Sequence, residues 1–208
     1  MSFLLYLRFM HLFFSTPIRI NEIDNYKKIN SELENYIYKE KEKNPVGKTR
    51  SNVKGWHSED FDLKDEILKS FITEISKSIG SAIKDMGWDL ESQVVKITSM
   101  WAIINNKDAF NEKHHHGNSA LSAAYYVKAE KDAGDIVFFD PRQANVFHHP
   151  VSKEVNSINA QVNSVTPKEG TLVLFPSYLE HKVNANLSNH ERIVISFNVS
   201  LISKKDLT

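Results

Sequence analysis

The hydrophobic pattern of this chain changes period near Asp89, and that change limits its fold more than any other feature. Upstream, Leu68, Phe71, Ile72, Ile75, Ile79 and Ile83 recur every three or four residues, which places them on one face of a helix. Asp62-Leu63-Lys64-Asp65-Glu66 offers an aspartate cap and an acidic first turn, so this helix is expected to run from there to about Met86-Gly87. Residues 23–43 carry Ile29, Leu33, Tyr36 and Ile37 at approximate helical spacing and end in Asn44-Pro45-Val46-Gly47, which predicts a first helix. Downstream of Asp89 the apolar runs become short, β-branched and aromatic, over residues 94–104, 119–128, 135–140, 165–175, 181–186 and 192–202. Residues 11–20, with Pro17, read as an opening edge strand, and residues 49–62 as irregular chain or a short strand. Helices followed by regularly spaced short strands predict an antiparallel β architecture flanked by helices. With no repeat or linker in view, one domain is expected: a disordered extension over 1–10, a helical flank over 11–90 and a β core over 91–203.

Composition narrows the chemistry. Twenty-six basic and twenty-six acidic residues cancel, so no overall positive field recruits nucleic acid. Cysteine is absent, which excludes disulfides and thiolate metal sites and leaves histidine, carboxylate and water as ligands. The apolar N-terminus, residues 1–14, is interrupted by Arg8 and His11 and is too short to span a bilayer, and Met10 is an alternative start. We therefore expect a soluble, cytoplasmic protein with no membrane partner. Its exposed edge strands would allow a homodimer.

Chemistry concentrates in Lys113-His114-His115-His116-Gly117-Asn118-Ser119. If this run opens a strand, alternation sends His114 and His116 to one face and His115 to the other. Two imidazoles on one face chelate a divalent metal once a third ligand arrives from another strand, and His181 is the obvious third. A second polar stretch, residues 141–163, contains His148 and His149. Its length suggests a lid or entrance, with both histidines solvated. Trp56, Trp101 and the Phe138-Phe139 pair read as core aromatics.

The order His114-x-His116, then Glu180-His181, then Arg192 eleven residues later resembles the 2-oxoglutarate and iron(II)-dependent oxygenase superfamily, most closely its members from phages and marine bacteria. The resembling text includes residues 114–127, Gly134-Asp135-Ile136-Val137-Phe138-Phe139-Asp140-Pro141-Arg142, residues 167–183, and Arg192-Ile193-Val194-Ile195-Ser196-Phe197-Asn198. The resemblance implies a double-stranded β-helix (jelly-roll, cupin-like) core. It makes His114, His116 and His181 the Fe(II) ligands and Arg192 the grip on the distal carboxylate of 2-oxoglutarate, a task suited to the planar guanidinium fork. Val194, Ser196 and Asn198 follow Arg192 at period two, so Ser196 is expected to add a hydroxyl near the cosubstrate. Tyr126 is the better of two tyrosines for a second carboxylate contact. The implied reaction uses dioxygen to hydroxylate an unidentified substrate, with release of succinate and CO2.

One position departs from the superfamily pattern. Its common triad is His-x-Asp or His-x-Glu followed by His, and here His116 occupies the carboxylate place. Glu180 and Asp140 are alternative carboxylate ligands. Glu180, adjacent to His181 in a strand, should face away from the metal, and Asp140 beside Pro141 should serve a turn. Two other readings stand beside the oxygenase: a cupin-like three-histidine metalloprotein that does not use 2-oxoglutarate, and a non-enzymatic binding module with structural histidines.

Overall fold

Ile193-Val194-Ile195 and Leu172-Val173-Leu174 are apolar at every position, as expected of strands covered on both faces. The structure, a computed structural model, describes residues 12–143, 147, 148 and 150–207. The extension expected over residues 1–10, the alternative start at Met10, and His149 lie outside them. In chain order the elements are β1 (Arg19–Glu22), α1 (Tyr26–Lys43), β2 (Asn52–Val53), β3 (Trp56–His57), α2 (Glu66–Asp85) and β4 (Gln93–Asn105). Then follow β5 (Phe110–His114), β6 (Leu121–Lys128), β7 (Ile136–Phe139), β8 (Val162–Val165), β9 (Thr171–Pro176), β10 (His181–Val183), β11 (Arg192–Ser203) and a closing 3-10 turn, Lys204–Leu207.

The strands form two antiparallel sheets, in the orders β1-β9-β6-β11-β4-β3 and β2-β5-β10-β7-β8. The larger sheet has two cores. On its outer side Ala123, Tyr125 and Val127 of β6, Leu172 and Leu174 of β9, and Ile193, Ile195 and Phe197 of β11 pack with Leu33 and Ile37 of α1 and Leu68, Phe71, Ile75 and Ile83 of α2. On its inner side Ala124, Tyr126, Val173, Phe175 and Val194 meet Ile136 and Phe138 of the smaller sheet. The period of two is therefore preserved, with both phases apolar because helices cover one face and a second sheet covers the other. This is the expected jelly roll with two flanking helices.

Some boundaries shift. The second helix starts at Glu66: Asp65 is its cap, accepting from the Ile67 amide at 3.0 Å, while Asp62 closes a turn by accepting from Lys64 N, also at 3.0 Å. The opening edge strand, expected over 11–20, lies instead at Arg19–Glu22, paired with β9. The region 11–90 is not a purely helical flank, because β1 and β3 join the larger sheet and β2 the smaller one. Among the described residues, no helix is long and apolar enough to cross a membrane.

Candidate active site

The histidine run does not open a strand. His114 is the last residue of β5, and His115 and His116 lie in the connection to β6. Convergence comes from pairing. His181 opens β10 directly opposite His114 on β5 and Phe138 on β7, and the His116 amide donates to the carbonyl of Ser177 at 2.9 Å. The result matches the expected cluster: one ligand atom from each of His114, His116 and His181 lies within 4.8 Å of the others. Ring centroids are 4.3 Å apart for His114 and His181, 5.2 Å for His116 and His181, and 5.3 Å for His114 and His116. His115 is exposed.

Each ring is fixed in one tautomer. His114 Nδ1 lies 2.7 Å from Glu112 O, His181 Nδ1 2.9 Å from Leu179 O, and His116 Nδ1 2.8 Å from Asn198 Oδ1. These oxygens only accept, so each Nδ1 carries the hydrogen and each Nε2 keeps a lone pair. Burial favours the neutral ring in all three, lowering His114 and holding His116 down at about 4 and His181 at about 3. Neutral imidazoles with second nitrogens so bound fit a divalent ion.

These shifts carry a stability consequence in the metal-free protein. Between the ordinary value of 6.5 and the depressed values, the unfolded chain binds protons that folded His116 and His181 refuse. The contribution is full above about pH 6.5 and is lost as pH falls through that window, at about 1.4 kcal/mol per pH unit for each ring. The urea midpoint of metal-free protein is expected to fall steeply from pH 7 to pH 5. A flat profile would contradict neutral burial of the triad.

The histidines line a cavity of about 620 Å³ between the sheets. Arg192, first residue of β11, lies in its wall and is 1% exposed. Its Nη1 donates to the carbonyls of Ala133, Gly134 (3.0 Å) and Asn184 (3.1 Å), while its buried Nη2 has no partner among the described residues. Burial lowers its pKa to about 10, still a cation at neutral pH, and among the described residues no salt bridge reaches it. A buried cation with an unused donor and no counter-charge is costly unless an anion arrives. Val194, Ser196 and Asn198 share the cavity face with Arg192, as the period of two predicts, and Tyr126 pairs across from Val194. Tyr126 is fully buried, which pushes its hydroxyl up to about 12.

The alternative carboxylates stand apart. Glu180 points outward in a salt bridge with Lys113 at 2.5 Å, and Asp140 holds Arg142 at the turn, at 2.8 and 2.9 Å. Trp56 and Phe138 are core, as expected. Trp101 is not core: it lines the cavity and stacks between His57, at 5.8 Å, and His116, at 5.6 Å. Phe139 is half-buried under the Lys113 ammonium, 4.6 Å from its ring centroid. His148 is exposed, as expected of a solvated loop histidine. Residues that sequence reasoning passed over are His57 and, as a partner of His116, Asn198. His57 follows no spacing rule, and Asn198 was visible only as a position in the period-two series.

The family model described as "Putative 2OG-Fe(II) oxygenase" matches residues 99–198, a span that holds all three histidines and Arg192. Among solved structures, a prolyl-4-hydroxylase from Pseudomonas putida is similar at 13% identity, over 89% of this chain and 93% of that one, with a TM-score of 0.63. HygX from Streptomyces hygroscopicus, solved with nickel, 2-oxoglutarate and hygromycin B, is similar at 10% identity over 89% and 83% of the two chains, TM-score 0.61. A Trichoplax adhaerens prolyl hydroxylase, solved with a hypoxia-inducible-factor peptide, matches at 11% identity over 91% and 84%, TM-score 0.61. These likenesses carry the fold. A search of curated proteins finds no match.

Proposed function

We propose that this chain is a 2-oxoglutarate- and Fe(II)-dependent oxygenase, with His114, His116 and His181 as its metal site and Arg192, with Tyr126 and Ser196, as its carboxylate site within one cavity. The reaction we assign is hydroxylation of an unidentified substrate, with release of succinate and CO2. The carrying observation is the buried Arg192 guanidinium, whose Nη2 has no partner among the described residues and which shares one cavity with three histidines whose Nε2 atoms carry lone pairs, that of His114 lying 3.5 Å from Ser51 Oγ.

When bound, Fe(II) and 2-oxoglutarate supply the oxidising power for the substrate C–H bond, and the residues of this chain bind, orient and enclose. Arg192 would take a carboxylate through Nη2 while three backbone carbonyls hold Nη1, so the fork arrives already aimed. Tyr126 and Ser196 would add hydroxyls on the same wall. Ile136, Phe175, Val183 and Val194 add apolar wall to the same cavity, which would help keep water from a bound carboxylate. His57, Trp101 and Arg50 line the same cavity and remain for substrate.

Succinate formation tests this without knowing the substrate. Protein loaded anaerobically with Fe(II) and then exposed to air should turn 2-oxoglutarate into succinate slowly, and His181→Ala should lose that turnover along with the metal. Wild-type turnover that survives His181→Ala would remove the three-histidine assignment.

A further inference from the structure

His116 stands where a carboxylate would make a short, charged contact with the metal, and it sits in a connection rather than in a strand. Its two companions are oriented locally. His114 donates to the carbonyl two residues before it, Glu112, and His181 does the same to Leu179. His116 breaks that pattern and donates to a side chain 82 residues away, Asn198 Oδ1, at 2.8 Å. We infer that Asn198 is a positioning residue, which fixes the tautomer and tilt of His116 so that an imidazole serves in the carboxylate place. This rests on the metal assignment proposed above.

The amide is itself oriented by the sheet. In the antiparallel register Asn198 on β11 lies between Ser99 on β4 and Ser122 on β6, one directly opposite it on each side. Ser122 Oγ donates to Asn198 Oδ1 at 2.8 Å, and Asn198 Nδ2 donates to Ser99 Oγ at 3.0 Å. With Nδ2 committed to Ser99, the amide presents oxygen rather than nitrogen to His116. Ser177 closes the circuit: its Oγ lies 2.8 Å from Ser122 Oγ, and its carbonyl accepts the His116 amide at 2.9 Å. His116 is thus held at ring and backbone by groups that share one network. The register of β11 on β4 shifts immediately after Asn198, between it and Val199. Bulges of this kind occur beside sites where a side chain must be aimed.

The bland alternative is a buried polar cluster that serves only stability, and the two make different predictions about metal. The experiment titrates metal-free wild type, Asn198→Leu, Asn198→Asp, His116→Ala, His181→Ala and the double variant Asn198→Leu/His116→Ala with Co(II), read by its visible ligand-field absorption. Thermal melts of each metal-free protein run alongside. Removal of a hydrogen-bond partner from a metal-ligating histidine typically weakens affinity about 10- to 100-fold, and that loss is expected for Asn198→Leu. Asn198→Asp keeps the acceptor and should bind Co(II) as tightly as wild type or more so. In the His116→Ala background Asn198→Leu should cause no further loss, because its effect passes through that ring.

Wild-type affinity in Asn198→Leu would overturn the inference. So would equal weakening by Leu and Asp, or an undiminished Leu effect without His116. If Asn198→Leu does not fold, the Asp variant decides: it must bind at wild-type strength or better. Failure of the underlying metal site looks different, since wild type would then show no Co(II) bands, or His181→Ala would bind as wild type does. Either result removes the positioning role as well.

Discussion

Arg192→Ala is expected to weaken 2-oxoglutarate binding at least ~30-fold and to abolish succinate formation at ordinary cosubstrate concentrations. Truncating one member of a buried, hydrogen-bonded charge pair costs about 2–5 kcal/mol, and 1.4 kcal/mol is tenfold. The variant loses a buried cation of the cavity wall and also leaves the carbonyls of Ala133, Gly134 and Asn184 without their shared donor. Arg192→Lys separates charge from geometry. An ammonium preserves the charge but cannot hold those carbonyls and offer a second, coplanar donor to a carboxylate. Its affinity should fall between those of wild type and the alanine variant. Calorimetric titration of 2-oxoglutarate into anaerobic, Fe(II)-loaded protein measures all three. Unchanged oxygen-dependent activity in Arg192→Ala, with no need for 2-oxoglutarate, would favour the cupin-like alternative.

The second large effect is expected at Gly134, which carries no side chain but whose carbonyl accepts from Arg192 Nη1 at 3.0 Å. Its φ of +88° already disfavours a side chain, and an added Cβ would lie 2.4 Å from Asn184 O, 2.6 Å from Ala185 O and 2.8 Å from Arg192 Nη1. One of those neighbours, Asn184 O, is a carbonyl that holds the guanidinium, and another, Nη1, is the held nitrogen itself. Gly134→Ala must push this turn off Arg192, and we expect about 3 kcal/mol of destabilisation from the combined strain and overpacking. 2-Oxoglutarate affinity should drop with it, because Nη2 loses its fixed aim. Thermal melting and the same calorimetric titration check both halves. A variant that melts and binds as wild type does would show that the turn has room to yield.

The sequence made visible those elements whose side chains repeat often enough to show a period. Helix α2 displays its stripe over twenty residues, and β4, β6, β9 and β11 are long or continuously apolar. Strands β2 and β3 have two residues each and cannot display a period. Strand β5 reads Phe-Asn-Glu-Lys-His, and its buried position is Asn111, satisfied by Asn105 and Ser51 rather than by apolar neighbours. Missing β5 misplaced the histidine run, which closes a strand instead of opening one. The grouping of His114, His116 and His181 was nevertheless legible, since it depended on residue type and order. Trp101 was assigned to the core on size alone, whereas its place on β4 turns it to the cavity. The role of Asn198 was out of reach, because it depends on the relative register of β4, β6 and β11, set by strand pairing far apart in sequence.

The stacking of Trp101 gives this chain an optical probe of its own. Trp56 is buried with its Nε1–H on Asn44 O at 2.9 Å, and Trp88 packs against the helix-side core. Trp101, by contrast, lies one ring away from His116. Emission that changes when an open-shell ion enters the site therefore originates mainly from one indole. A Trp101→Phe variant would turn that signal off while leaving the other two fluorophores as an internal reference, so occupancy can be followed in solution without a label.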